Sequence, residues 1–291
     1  MEAASLPGGG TLADDAVPDV EQWSGKDRGD ENFPVGSFLI RRDLRTHVHA
    51  FYAFARNADD VADSAILPEA EKLTRLDHME AVLLGRRDTG APSALRLRAS
   101  LAETHVTSRH ATDLLIAFRR DASKHRYASW GELYDYCRYS AMPVGRHVLD
   151  LHGEDRATWA PSDALCTSLQ VLNHLQDGAK DLAALDRCYL PLDLLQQYGA
   201  AVTDLRGARE TPGLRAVFTA LLDRIDALNA TATDLPRRTS ARGLRLETAV
   251  IVGLAHRLTQ RLRHDDPVAT RVKLTRGDAI ASVLASLWFL P

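Results

Sequence analysis

The chain has 291 residues, a net charge of −3, 45% apolar residues and 6% aromatic residues. This length allows one large domain or two modest ones with a substantial core, and the nearly balanced charge argues against a nucleic-acid binder. Three cysteines, Cys137, Cys166 and Cys188, stand apart without a CxxC pair, which argues against a zinc site or a disulfide scaffold and fits a reducing cytosol.

Residues 1–30 are rich in Gly, Pro, Asp and Ala, show no periodicity and read as a mobile leader. They lack the basic start and apolar run of a signal peptide. No stretch of about 18 apolar residues exists to span a membrane. From about Asn32 to Pro291 apolar residues recur at i, i+3 and i+4, as in Leu44, Val48, Phe51, Ala55, Ala58 and Ala62. Pro68, the DTGAPS segment (88–93), the GEDRATWAPS segment (153–162), Pro191, the TPG at 211–213 and Pro236 punctuate the pattern. The expectation is a single all-α domain of roughly ten helices over residues 31–291. No P-loop, strand-linked GxGxxG or HExxH interrupts it.

The first stretch that calls for chemistry is DDVAD (59–63). Tyr52, Arg56, Asp59 and Asp63 stand at i, i+4, i+7 and i+11, a narrow sector at about 100° per residue, with Asp60 about 80° away. DGAKD (177–181) repeats the aspartate spacing. Gln170, Asn173, Asp177 and Asp181 form its stripe, flanked by Leu169, Val171, Leu172 and Leu175. Either aspartate pair alone fits a solvated helix face. Together, on helices too apolar to be surface helices, they are expensive unless something satisfies them. Two or three Mg²⁺ ions held between facing helices would do so and would clamp a diphosphate, with Arg56 adding charge.

Other features stay open. Tyr136 fits core packing or a cavity wall. Arg119, Arg120, Lys124 and Arg126 read as a wet helix end. His47 and His49, two apart on a helix, are poor joint ligands. The C-terminal AIASVLASLWFLP (279–291) is too short to span a bilayer. It reads either as a helix docked on the core or as a surface that touches a membrane.

The stretches YAFARNADDVAD (52–63) and LQVLNHLQDGAKDLAALDRCYLP (169–191) are similar to the two aspartate-rich motifs of the squalene/phytoene synthase family. ELYDYCRYSAMPVGRHVL (132–149) resembles its middle helix, and the likeness covers roughly residues 31–290. The resemblance implies a single-domain isoprenoid-synthase helical bundle with a central prenyl-chain cavity. It assigns Mg²⁺ to Asp59, Asp60 and Asp63 on one side and to Asp177 and Asp181 on the other. Tyr52 and Arg56 match positions that contact the diphosphate. Gln170 and Asn173 match amides before the second motif, and Arg187 and Tyr189 match residues that close over the site. Asn32 and Phe33 match the entry segment, and Tyr136, Ser140, Ala141 and Gly145 match the tunnel wall.

ENFPVGS (31–37), the pattern around Tyr136 to Arg146, and Gln176 before Asp177 resemble the hydroxysqualene-forming branch. Its members ionise presqualene diphosphate and let water capture the rearranged cation, without NADPH. The alternative is head-to-head condensation of two farnesyl or geranylgeranyl diphosphates. The implied setting is cytoplasmic, with at most peripheral contact with the inner membrane and contact with sister enzymes of the squalene pathway. Three positions depart from the pattern. Gln176 replaces an Arg that contacts diphosphate in many head-to-head synthases. Met142 stands in place of an expected Asn. The C-terminal cluster of His256, Arg257, Arg261, Arg271 and Lys273 has no aligned roles and fits a solvated face.

Overall fold

The computed structural model describes residues 19–21 and 40–289. Twelve α-helices occupy the described residues, joined by short turns, and no strand forms among them. The helical pattern of the sequence therefore resolves into somewhat more helices than expected, because several expected breaks are helix starts. Pro92 opens α3 (Pro92–Thr104) and Pro212 opens α9 (Pro212–Ala232), as suits a residue with fixed φ and no N–H to leave unpaired. Thr211 caps α9 by accepting from the Leu214 N–H at 3.1 Å. GEDRATWAPS is only half a break, since α7 begins at Trp159 and runs 27 residues to Leu185.

The expected mobile leader lies outside the described residues except at 19–21, where it is docked. Val20 N–H donates to the Gly90 carbonyl at 2.9 Å. The Glu21 carboxylate accepts from the Ser93 N–H at 2.8 Å and from the Ser93 hydroxyl at 2.5 Å. Glu21 thus serves orphan N–H groups at the start of α3, where a negative charge also suits the helix dipole.

Two apolar clusters make the core. One joins α1 (Arg45–Asp63), α2 (Glu69–Leu83), α3 and α4 (Arg109–Ser123) around Phe54, Leu76, Met79 and Leu115. The other is centred on α7, α9 and α11 (Arg242–His264) around Leu172, Leu221 and Leu258. The second cluster is pinned by a buried polar link. Ser168 Oγ donates to Asn229 Oδ1 at 2.6 Å, and Asn229 Nδ2 donates to Thr259 Oγ1 at 3.0 Å, joining α7, α9 and α11.

Between the clusters lies a cavity of about 410 Å³, bounded by Phe51 and Phe118 on one side and Tyr136 and Leu165 on the other. α5 (Trp130–Ser140) and α6 (Met142–Leu151) form a further wall. α6 sits tightly on α7 at Gly145, where an added Cβ would lie 2.4 Å from Ser162 Oγ and 2.7 Å from Cys166 Sγ. Gly145→Ala should therefore cost about 1–3 kcal/mol by overpacking and lower the thermal midpoint in differential scanning calorimetry. An unchanged midpoint would mean that the two helices can part.

Candidate active site

α1 and α7 flank the cavity in the same sense. On α1 the lining runs from Val48 and Phe51 through Tyr52 and Arg56 to Asp59, and on α7 from Ser162 through Leu169 to Gln170. Each helix leads from apolar positions to carboxylates near its C-terminus, at Asp59 and the terminal Asp63 of α1 and at Asp177 and Asp181 of α7. From Val48 to Asp59 the helix rises about 16 Å, which sets the depth of apolar wall below the charged end.

The charged end is cross-braced by guanidinium groups. Arg56 donates to Asp59 at 3.1 Å. Arg187 donates to Asp63 Oδ1 at 2.5 Å and, through Nη2, to the Asp121 and Ala62 carbonyls at 2.7 and 3.2 Å. Arg271 reaches Asp177, with Nε 2.7 Å from Oδ1 and Nη2 donating to Oδ2 at 2.9 Å. Asp181 feels Asp177 and Asp63 as like charges, and burial first and these neighbours second push its carboxyl up to about 6. Burial, followed by the charge of Asp63, also raises Asp59, with Arg56 opposing. The Asp59 side chain keeps 31% exposure and lines the cavity, so it is shielded from bulk water more than from the site.

Beneath the carboxylates sits an aromatic group. Tyr136 donates its hydroxyl to Asp121 Oδ2 at 2.8 Å, and Tyr189 donates to Asp121 Oδ1 at 3.4 Å. The Tyr189 ring stacks on His174 at 3.5 Å, and the Tyr136 ring lies 5.7 Å from Tyr189. Burial, with the charge of Arg187, lowers His174 to about 3, so its imidazole is neutral. Its Nε2 lies 3.1 Å from Gln170 Nε2, where a neutral ring nitrogen accepts from the amide.

Most of the sequence-predicted residues converge here. Tyr52, Arg56, Asp59, Tyr136, Ser140, Gly145 and Gln170 line the cavity. Asp63, Asp177, Asp181 and Arg187 make the braced end, while Asn173 lies four residues before Asp177 on α7. Asp60 is buried at 8% exposure, on the flank expected from its helical angle. Ala141 is the exception. It is buried at the joint between α5 and α6 and does not border the cavity. Asn32 and Phe33 lie outside the described residues.

Two residues were not singled out by sequence. Asp121 lies among cations whose sequence reads as a wet helix end. Its cationic neighbours do make surface ion pairs, such as Arg120 with Asp135 and Arg119 with Asp77. Asp121 itself points inward, at 5% exposure. His174, between Asn173 and the second aspartate pair, gave no signal beyond its place on a polar stripe. Gln176 proves to be an anchor: it is buried and donates to the Val272 carbonyl at 2.5 Å. That bond fixes the segment that brings Arg271 to Asp177. The basic C-terminal cluster therefore divides, with Arg271 at the site and Arg261 bound to Asp278 at 2.8 Å.

The match with known proteins follows this geometry. Residues 26–278 match the family model described as Squalene/phytoene synthase. The chain belongs to the squalene/phytoene synthase family. A hydroxysqualene synthase of Rhodopseudomonas palustris is 47% identical over 254 residues, covering 87% of each chain. A hydroxysqualene synthase of Zymomonas mobilis is 44% identical, covering 88% of this chain and 87% of its own. Among solved structures, squalene synthase HpnC from Alicyclobacillus acidocaldarius superposes with a TM-score of 0.71 at 34% identity, covering 81% of this chain and 89% of that one. A dehydrosqualene synthase with bound ligand has a TM-score of 0.73 at 21% identity, covering 85% and 87%, and supports the fold. The chain is therefore an enzyme of a prenyl-transferring family whose members act on prenyl diphosphates.

Asp121 gives the family site a testable pH signature. Burial is the main cause that lifts its carboxyl from 3.8 to about 7, against the favourable charge of Arg187. The folded state then holds a proton that the unfolded chain has released. This stabilisation is complete below about pH 4 and is lost as the pH rises through about 7. In chelator-treated protein Asp121→Asn should therefore flatten the fall of the thermal midpoint over that window. An identical fall in both proteins would remove Asp121 as its source.

Proposed function

We propose that the enzyme ionises presqualene diphosphate with the help of Mg²⁺ and lets water capture the rearranged cation, giving hydroxysqualene and diphosphate. The observation that carries this reading is the joining of a deep apolar cavity to a single end where carboxylates and guanidinium groups face each other. A prenyl chain fits the first part and its diphosphate the second. The choice of branch is supported by similarity at 44–47% identity to proteins named hydroxysqualene synthase.

The donor set suits Mg²⁺. Asp59, Asp63, Asp177 and Asp181 offer hard oxygen ligands, and the raised carboxyls of Asp59 and Asp181 mark a place short of positive charge. Among the described residues no three ligating groups are gathered ready around one point, as expected where Arg187 and Arg271 already occupy Asp63 and Asp177. When bound, Mg²⁺ supplies positive charge that stabilises the departing diphosphate.

The remaining work falls to the chain. Arg56 and Arg271 stand where a diphosphate oxygen can accept from them once their aspartates are otherwise engaged. Arg187, held on three sides, keeps the α1 end in place. The carbon–oxygen bond breaks with its electron pair leaving on diphosphate. The cation then lies against Tyr136, whose ring lines the cavity and attracts positive charge, while the apolar wall excludes bulk water. Water's lone pair forms the new carbon–oxygen bond, and one water proton is released. The product keeps the oxidation level of the substrate, so the step needs no NADPH. The same reading puts the enzyme in the cytoplasm, in peripheral contact with the membrane that holds its apolar substrate and product, and beside sister enzymes of the squalene pathway.

Purified protein should convert presqualene diphosphate to hydroxysqualene with Mg²⁺ and without NADPH, as read by mass spectrometry, and leave farnesyl diphosphate largely unreacted. Presqualene diphosphate or a longer polyene formed from allylic diphosphates would move the enzyme to the condensing branch. Asp59→Ala and Asp177→Ala should each lower kcat by about 100-fold or more while retaining the circular dichroism of the folded chain. Retained turnover in either variant would refute the clamp.

A further inference from the structure

α12 (Arg276–Ser286) and the 3₁₀ turn Leu287–Phe289 carry their polarity inside out. The inner face is small and polar. Asp278, Ser282 and Ser286 are buried. Asp278 accepts from Arg261 at 2.8 Å and from the Thr275 N–H and hydroxyl, both at 2.7 Å. Ser282 packs on Gly253 of α11, where an added Cβ would lie 3.1 Å from it. The C-terminal run therefore docks on the core, as one of its two sequence readings held, but by its polar side.

The outer face is large and apolar. Ile280, Val283, Leu284, Leu287 and Trp288 are exposed by 61%, 48%, 60%, 48% and 91%. They account for five of the eleven exposed large apolar side chains in the described residues, within nine consecutive positions. Counted at about 100° per residue, they fall within an arc of about 140°. Arg276, also exposed, falls inside that arc one turn before Ile280. A contiguous apolar patch on the surface marks an interaction site.

Charge selects the partner. Lys273 and Arg276 precede or open the helix, and Asp278 is the one acid between 271 and 289. Asp278 is turned inward and engaged by Arg261, so the outer face and its margin are cationic. A two-fold contact with a second copy would set Arg276 against an apolar surface with no acid on that face to pair it, at a desolvation cost. An anionic lipid surface accepts both parts, with apolar side chains reaching the acyl boundary, cations at the headgroups and Trp288 between them.

We propose that the outer face of α12 docks the enzyme on an anionic lipid bilayer. Its position fits traffic between membrane and cavity. Ile251 lines the cavity and Gly253 receives Ser282, and two residues along a helix turn about 200°. α11 is thus a single-helix wall with the cavity on one side and the docking helix on the other. The inference deepens the membrane contact of the proposed function by naming the surface that makes it, and rests on that function only for the identity of the apolar cargo.

The test is co-sedimentation of the full chain with phosphatidylcholine vesicles, with and without phosphatidylglycerol. Wild-type protein should pellet with the mixed vesicles and shift its tryptophan emission to the blue. Leu284→Ser/Trp288→Ser should bind about tenfold more weakly or worse. Arg276→Glu should lose the preference for phosphatidylglycerol. All variants should keep the wild-type thermal midpoint and the wild-type turnover of detergent-dispersed substrate. Equal pelleting of wild type and double variant would overturn the proposal, as would a wild-type dimer that the double variant converts to monomer without any lipid binding. Sedimentation does not depend on turnover, so failure of the presqualene diphosphate reaction would leave this result standing.

Discussion

Carboxylates gathered at the mouth of an apolar cavity repel one another and lose water, and the architecture is arranged around that cost. Burial first, and then the like charge of neighbours that include Asp63 in every case, raises the carboxyls of Asp59, Asp121 and Asp181. Three arginines from different parts of the chain answer them. Removal of one partner from a buried pair leaves an uncompensated charge, so each arginine must be delivered accurately. The connections that deliver them are correspondingly well fastened.

Arg187 follows the left-handed turn at Asp186 that ends α7. The chain beyond it is laid along the loop between α4 and α5. Cys188 N–H donates to the His125 carbonyl at 3.0 Å, and Leu192 N–H donates to the Tyr127 carbonyl at 2.9 Å. This short parallel zipper sets Arg187 against Asp63 and Tyr189 against Asp121 in one stroke. Arg271 is delivered by Gln176, whose buried amide grips the Val272 carbonyl. The residue just before the second acidic pair is therefore a clasp for the segment that neutralises the pair. A position that resembles a lost diphosphate contact has become the support of another cation.

Much of the site was legible because its parts are periodic. Tyr52, Arg56, Asp59 and Asp63, like Gln170, Asn173, Asp177 and Asp181, follow the 3.6-residue repeat of their own helices, and a linear sequence records that repeat directly. The carboxylate of Asp121 was not legible, since its partners lie 15 residues away at Tyr136 and 68 away at Tyr189. Nothing local separates it from the surface cations beside it. Glu21 was lost for a similar reason, its role being to cap a helix 72 residues on. The C-terminal run shows the limit of composition alone. Its small polar residues make the contact with α11, and its large apolar ones face outward. The all-α class and the central cavity, by contrast, follow from apolar spacing and from the resemblance that the family match bears out.

The cavity lies at the seam of two apolar clusters, so its walls are rigid while its charged end is held by exchangeable ion pairs. The central claim is that α1 and α7 are two halves of one clamp in which Arg56 and Arg271 turn to the diphosphate as metal binds, while Arg187 stays in place. A crystal structure with Mn²⁺ and a thio-substituted prenyl diphosphate tests it most directly. Anomalous density should lie between the helices, with Asp59 or Asp63 and Asp177 or Asp181 as ligands and Arg271 moved from Asp177 to the diphosphate. Metal bound to one helix alone, or a diphosphate held with Arg271 still on Asp177, would contradict the account.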